Sequence, residues 1–167
     1  MYSEMKAASR VPPSIWRNPV HFLAFGCGVG AIPIAPGTFG TLLGIAPYLA
    51  LRRLDAPEYL VVLGGLFLVG TWLCRVTARD VGVHDHPGIV VDEVVGFLLT
   101  MAGAAPQWWW IALGFAYFRL FDIWKPWPIR LVDRHVTGGI GIMLDDVLAG
   151  VYAWFALRIT ENVATLL

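Results

Sequence analysis

The sequence predicts an all-α protein: a compact multi-span membrane helix bundle with a broken or re-entrant element near its N-terminus. Three observations carry that expectation. Of 167 residues, 57% are hydrophobic and 14% charged, with a mean hydropathy of +0.66, whereas soluble domains average about 45–50% apolar and about 25% charged. Apolar stretches approaching the ~20 residues needed to cross a bilayer recur along the chain. Basic residues also divide unevenly between the loops that would lie on the two sides of a membrane. Net charge is zero, so no bulk attraction to nucleic acid is expected.

Residues 1–17, polar and broken by prolines, read as an N-terminal tail, not a cleavable leader running into an apolar core. Residues 18–167 read as one domain. Its first element, "VHFLAFGCGVGAIPIAP" (20–36), is rich in glycine and proline and suggests a broken or re-entrant piece. It is expected to pair with "TFGTLLGIAPYLAL" (38–51), which is short and contains Pro47. The clearest span is "YLVVLGGLFLVGTWLCRV" (59–76). "IVVDEVVGFLLTMAGAA" (89–105) is apolar apart from Asp92 and Glu93. "QWWWIALGFAYFRLFDIW" (107–124) has tryptophans suited to an interfacial belt at its start, and Arg119 and Asp122 near its end. "GIMLDDVLAGVYAWFAL" (141–157) carries Asp145 and Asp146 near its start.

Spans at 38–51, 59–76, 89–105, 107–124 and 141–157 put Lys6, Arg10, Arg17, Arg79, Lys125, Arg130 and Arg134 on one side. Arg52, Arg53 and Arg158 fall on the other. The first side is therefore expected to be cytoplasmic. Gly37, Thr38, Asp80, Asp85, Asp92, Glu93, Asp122, Lys125, Asp145 and Asp146 all belong to that face.

A carboxylate in hydrocarbon costs about 2.5–3.5 kcal/mol at a helix centre on insertion scales, so the pairs in "VVDEVV" and "MLDDVL" need a reason. Helix capping is the plain one, since acids stabilise a helix N-terminus. Apolar residues precede each pair, however, and adjacent helical positions point about 100° apart, so at least one acid of each pair should face the bundle. Clustered carboxylates without a Cys or His array suit a hard divalent ion such as Mg²⁺, which commonly bridges carboxylates to phosphate. Lys125 could meet such a phosphate as a point charge or simply snorkel to the headgroups. "PIAPGTFGT" (33–41) offers backbone N–H groups and hydroxyls at a helix start, a weak anion signal. His84, Asp85 and His86 read as a surface loop in preference to a metal site. Cys27 and Cys74 lie in apolar settings and read as inert packing.

Several chemistries are excluded. There is no Cys-x5-Arg phosphatase loop, Asp-x-Asp-x-Thr nucleophile, Gly-x-Ser-x-Gly elbow or Walker A sequence. A cation-coupled membrane transporter is the rival reading, since membrane carboxylates can mark an ion path. Its acids would be expected around the midplane, not at one face.

At "GVHDHPGIVVDEVVG" (82–96), "FRLFDIWKPWPIRLVDR" (118–134) and "GGIGIMLDDVLAG" (138–150), the chain closely resembles the bacterial phosphatidylglycerophosphatase A family. "IPIAPGTFGTL" (32–42) resembles that family's N-terminal motif, and the likeness runs from about residue 18 to 155. The resemblance implies a Mg²⁺-dependent phosphatase of the bacterial cytoplasmic (inner) membrane. It would convert phosphatidylglycerophosphate to phosphatidylglycerol and inorganic phosphate. The family's acidic and lysine positions match Asp80, Asp85, Asp92, Glu93, Asp122, Lys125, Asp145 and Asp146. The division of labour among them is our own expectation: Asp92, Glu93, Asp145 and Asp146 as metal ligands, with Asp122 joining or orienting them. Lys125, Gly37, Thr38 and Thr41 are expected to hold the phosphate, with Asp85 or Glu93 as general base.

Overall fold

The computed structural model describes residues 11–166, so residues 1–10 of the N-terminal tail, with Lys6 and Arg10, lie outside the described residues. Eight α-helices are described: α1 Pro19–Ala24, α2 Pro36–Leu43, α3 Ile45–Leu51, α4 Ala56–Val81, α5 Val91–Thr100, α6 Trp108–Trp124, α7 Ile129–His135 and α8 Gly138–Leu166. Short 3₁₀ turns at Pro13–Trp16 and Val29–Ala31 complete the order, and no strand occurs among the described residues.

Helices α4 and α8 are long and apolar enough to cross a membrane. At 1.5 Å per residue they rise about 39 and about 43 Å, beyond the ~30 Å hydrocarbon thickness. Asp55 starts α4 by accepting a hydrogen bond from Glu58 N at 2.9 Å, and Gly82, at φ +73°, ends it in the left-handed conformation. Along α4, Val61, Leu68, Val69 and Trp72 are exposed, as are Leu120 and Ile123 of α6 and Phe155 and Ile159 of α8. An apolar outer surface of this kind suits lipid contact.

Two expected spans take a different form. Helix α5 has ten residues, a rise of about 15 Å, or half a hydrocarbon core. Its apolar character comes from being wrapped by α8, α4, α2, α6 and α3; a helix hydrophobic all round is a buried one. The 38–51 stretch divides into α2 and α3 at Gly44, and Pro47 can donate no bond to Leu43, so the ladder breaks there.

Helix α8 is the spine, packing on α4, α5, α6 and α7. In lipid, close packing and not water exclusion drives helix association, and small residues at crossings permit it. A Cβ added to Gly150 would stand 2.5 Å from Gly96 O, and one added to Gly96 would stand 2.7 Å from Asp146 O. The two backbones therefore touch, which brings Asp146 against α5. Phe97, Leu98, Met101, Phe118, Met143 and Leu157 fill the core around that crossing. Cys74 is buried there as expected, but Cys27 is exposed. It sits in a left-handed turn (φ +57°) between Gly26 and Gly28, so it leaves the apolar packing that its neighbours suggested.

Candidate active site

Three helices deliver polar side chains to one place, and a fourth packs its backbone beside them. The first turn of α5 supplies Asp92 and Glu93. Helix α8 supplies Asp145 and Asp146, the end of α6 supplies Arg119 and Asp122, and Lys125 caps α6. The start of α2 brings Gly37 alongside: a Cβ there would collide with Glu93 Oε1 and approach Arg119 Nη1 to 3.1 Å. Only glycine lets α2 come so near.

Asp92, Glu93 and Asp146 each offer a carboxylate oxygen within 4.8 Å of the others. Asp92 Oδ1, Glu93 Oε2 and Asp146 Oδ2 are buried and accept no hydrogen bond. Three desolvated, unpartnered carboxylate oxygens repel one another unless a cation joins them. The all-oxygen donor set fits a hard divalent ion such as Mg²⁺. Asp122 interacts electrostatically with both Glu93 and Asp146, which puts it at the edge of this group.

Asp145 stands slightly apart. Its Oδ2 accepts from Lys125 Nζ at 2.6 Å, while Asp133 Oδ1 accepts from the same ammonium at 2.5 Å. Burial alone would lower the lysine's pKa; the two carboxylates outweigh it and hold Lys125 firmly protonated. Lys125 thus ties the end of α6 to α7 and α8, and does not snorkel outward. Its backbone is left-handed, at φ +45°, which turns the chain and directs the side chain back into the bundle.

Arg119 Nη1 lies 2.5 Å from Asp122 Oδ2, with both side chains largely buried. Its Nε is buried with no acceptor. Neither Arg119 nor Asp133 was among the sequence-derived site residues. The available signal for Arg119 was its i,i+3 spacing from Asp122 within an otherwise apolar helix.

Asp85 lies in the loop before α5, electrostatically coupled to Asp92, Asp145 and Lys125. Although the residue is partly open to solvent, the chain around its carboxyl desolvates it and raises its pKa, against the opposing pull of Lys125. The flanking histidines build the loop: His84 Nε2 accepts from Gly138 N at 2.8 Å, pinning the start of α8, and His86 Nδ1 accepts from Gly88 N at 3.0 Å.

Three expected contributors have other employment. Thr41 is fully buried and its hydroxyl donates to Gly37 O at 2.8 Å, so it braces α2 and has no hydroxyl hydrogen left for a phosphate. Thr38 N donates to Ala35 O at 3.0 Å, which removes one of the backbone donors that an anion would use; its half-buried side chain stays near Gly37. Asp80 accepts from Arg79 and lies 3.3 Å from His21 Nε2, whose Nδ1 is 2.9 Å from Ser14 Oγ. Asp80 therefore secures the junction of α1 with α4.

The family model for phosphatidylglycerophosphatase A matches residues 22–161. The phosphatidylglycerophosphatase A of Escherichia coli (strain K12) is 51% identical over 136 residues, covering 80% of this chain and 78% of that protein. The phosphatidylglycerophosphatase A of Haemophilus influenzae (strain Rd) is 49% identical over 139 residues, covering 81% and 85%. No solved structure matches the chain.

Proposed function

From the chain's membership of the phosphatidylglycerophosphatase A family, we propose that this membrane phosphatase hydrolyses phosphatidylglycerophosphate to phosphatidylglycerol and inorganic phosphate, with Mg²⁺, at the cytoplasmic face of the bacterial inner membrane. The observation that carries the site assignment is the trio of buried, unpartnered carboxylate oxygens from Asp92, Glu93 and Asp146.

Those three residues would hold the ion, with Asp122 at its edge and Asp145 linking it to Lys125. When bound, Mg²⁺ would neutralise the phosphomonoester and lower the pKa of water, the two services metals commonly give to phosphate hydrolysis. Arg119 and Lys125 are the cations closest to the carboxylates, and they hold the phosphate's remaining oxygens. In phosphoryl transfer such positioning and charge stabilisation supply most of the catalysis. Gly37 keeps the wall open beside Arg119. Asp85, outside the trio, takes the proton from the attacking water. The P–O bond to the terminal glycerol breaks as the new P–O bond forms, the departing glycerol oxygen is protonated from Asp85 or water, and the diacylglycerol portion stays in the bilayer throughout.

The test is phosphate release from phosphatidylglycerophosphate by protein purified in detergent, with and without Mg²⁺. Release that survives chelation overturns the metal assignment, and full rates in both Asp92→Asn and Asp146→Asn overturn the site. With a phosphorothioate substrate made chiral by oxygen isotopes and turned over in isotopically labelled water, inversion at phosphorus is expected; retention would replace direct water attack with an aspartyl-phosphate. Orientation is read by labelling Arg134→Cys, with Cys27 replaced, in intact cells. Modification by a membrane-impermeant reagent from outside contradicts a cytoplasmic site.

A further inference from the structure

A second site lies at the other end of the bundle. A cavity of about 600 Å³ opens among the end of α3, the start of α4, the end of α5 and the second half of α8, lined by Tyr48, Arg52, Tyr59, Val151, Trp154 and Arg158 among others. It is separate from the acidic site. Met101 on its wall lies nine residues beyond Asp92, and Arg158 twelve beyond Asp146, or about 14 and about 18 Å along a helical path.

Its chemistry is mixed in one particular way. Most of the wall is apolar, including Leu60, Leu99 and Phe155, and the volume falls within the ~300–1,000 Å³ range of small-molecule sites. The polar groups at its margin are cationic. Arg52 is exposed and makes no ion pair among the described residues. Arg158 is held in place by Gly103 O and by Glu161, 2.8 Å away, through Nη1. Its Nε and Nη2 have no acceptor. Guanidinium donors that are shielded from water and left idle are costly unless an anion completes them.

The cavity lies against α4 and α8, the two helices long and apolar enough to cross the bilayer, and Leu60 and Phe155 on its wall are exposed apolar side chains, a surface suited to lipid. We propose that it binds one anionic diacyl phospholipid of the leaflet opposite the acidic site, an acyl chain inside and the headgroup phosphate on Arg52 and Arg158. The polar tips of Tyr59 and Trp154 are spent on Leu98 O and Ala102 O, so these two side chains add apolar wall for the acyl chain.

The experiment counts lipids retained by the detergent-purified protein in native mass spectrometry, titrated with phosphatidylglycerol or phosphatidylcholine of the same acyl chains. One retained phosphatidylglycerol is expected, preferred about fivefold for each arginine that meets its phosphate. Arg52→Gln, at an exposed position, should reduce that preference about fivefold. Val151→Trp, which fills the cavity, should abolish the retained lipid while phosphatase activity stays within about twofold, as for independent distant sites. A phosphatidylglycerol bearing a photoactivatable acyl chain should crosslink within 151–158 or 99–104. Equal retention of the two lipids, retention by Val151→Trp, or crosslinks confined to the acidic end each overturn the proposal. Loss of phosphatase activity alone would bear on the acidic site and leave this one standing.

Discussion

The two acidic pairs look alike in sequence and are held by different physics. Asp92 and Glu93 occupy the first turn of α5, where the helix dipole favours negative charge by about 0.3–1 kcal/mol per group. Asp145 and Asp146 follow seven residues of α8, beyond its first turn, where that effect has decayed. Capping can therefore account for part of the first pair and none of the second. In α8 the difference is side-chain chemistry: each acid keeps one buried oxygen without a partner, but Asp145 has Lys125 on its other oxygen, whereas the charges acting on Asp146 are other carboxylates. Asp146 is the residue whose position makes least sense without a cation.

Charge-neutral substitutions should separate the two members of the α8 pair by sign. Asp146→Asn is expected to lower kcat about 10³-fold, the upper range for loss of one electrostatic contributor. It should also raise the melting temperature of metal-free protein, because one of three mutually repelling buried carboxylates is gone. Asp145→Asn should instead lower stability by about 1–2 kcal/mol, as it deprives Lys125 of a charge-assisted bond. Thermal melts with and without Mg²⁺, beside kcat, read both effects. Equal stability changes in the two variants would dissolve the distinction.

The next effect in size concerns the cations. Arg119→Lys is expected to lower kcat/KM about 10²-fold, since a lysine cannot pair with Asp122 and also present planar donors to a phosphate. If Arg119 merely braces α6, the variant should lose stability at unchanged kcat/KM. Substrate kinetics alongside a melt distinguish the two.

Much of the site was legible because burying charge is expensive enough to stand out in an apolar sequence. Asp92, Glu93, Asp122, Asp145, Asp146 and Lys125 stood out for that reason, and the structure brings them together. Both long helices were also legible, since their apolar runs are nearly unbroken. Helix α5 read as a span because hydropathy cannot tell burial in protein from burial in lipid. The partition of acids was hidden too: adjacent aspartates differ only in which neighbour they meet, and Asp145's partner is set by the left-handed turn at Lys125. Asp133 was invisible because its role depends on that same turn.

The smallest expected effect tests the start of α2, where sequence pattern and structure part. Backbone N–H groups and two threonine hydroxyls at a helix entrance suggested an anion cradle there. In the folded chain Thr41 spends its hydroxyl on Gly37 O and is sealed from solvent. Thr41→Val keeps the shape and removes that one bond, so stability should fall by about 0.5–1.5 kcal/mol while KM and kcat hold. What Thr41 contributes is the position of Gly37, and through it the clearance beside Glu93 and Arg119. A raised KM at unchanged stability would mean that the hydroxyl leaves Gly37 when substrate binds, and would return Thr41 to the phosphate site that its sequence suggested.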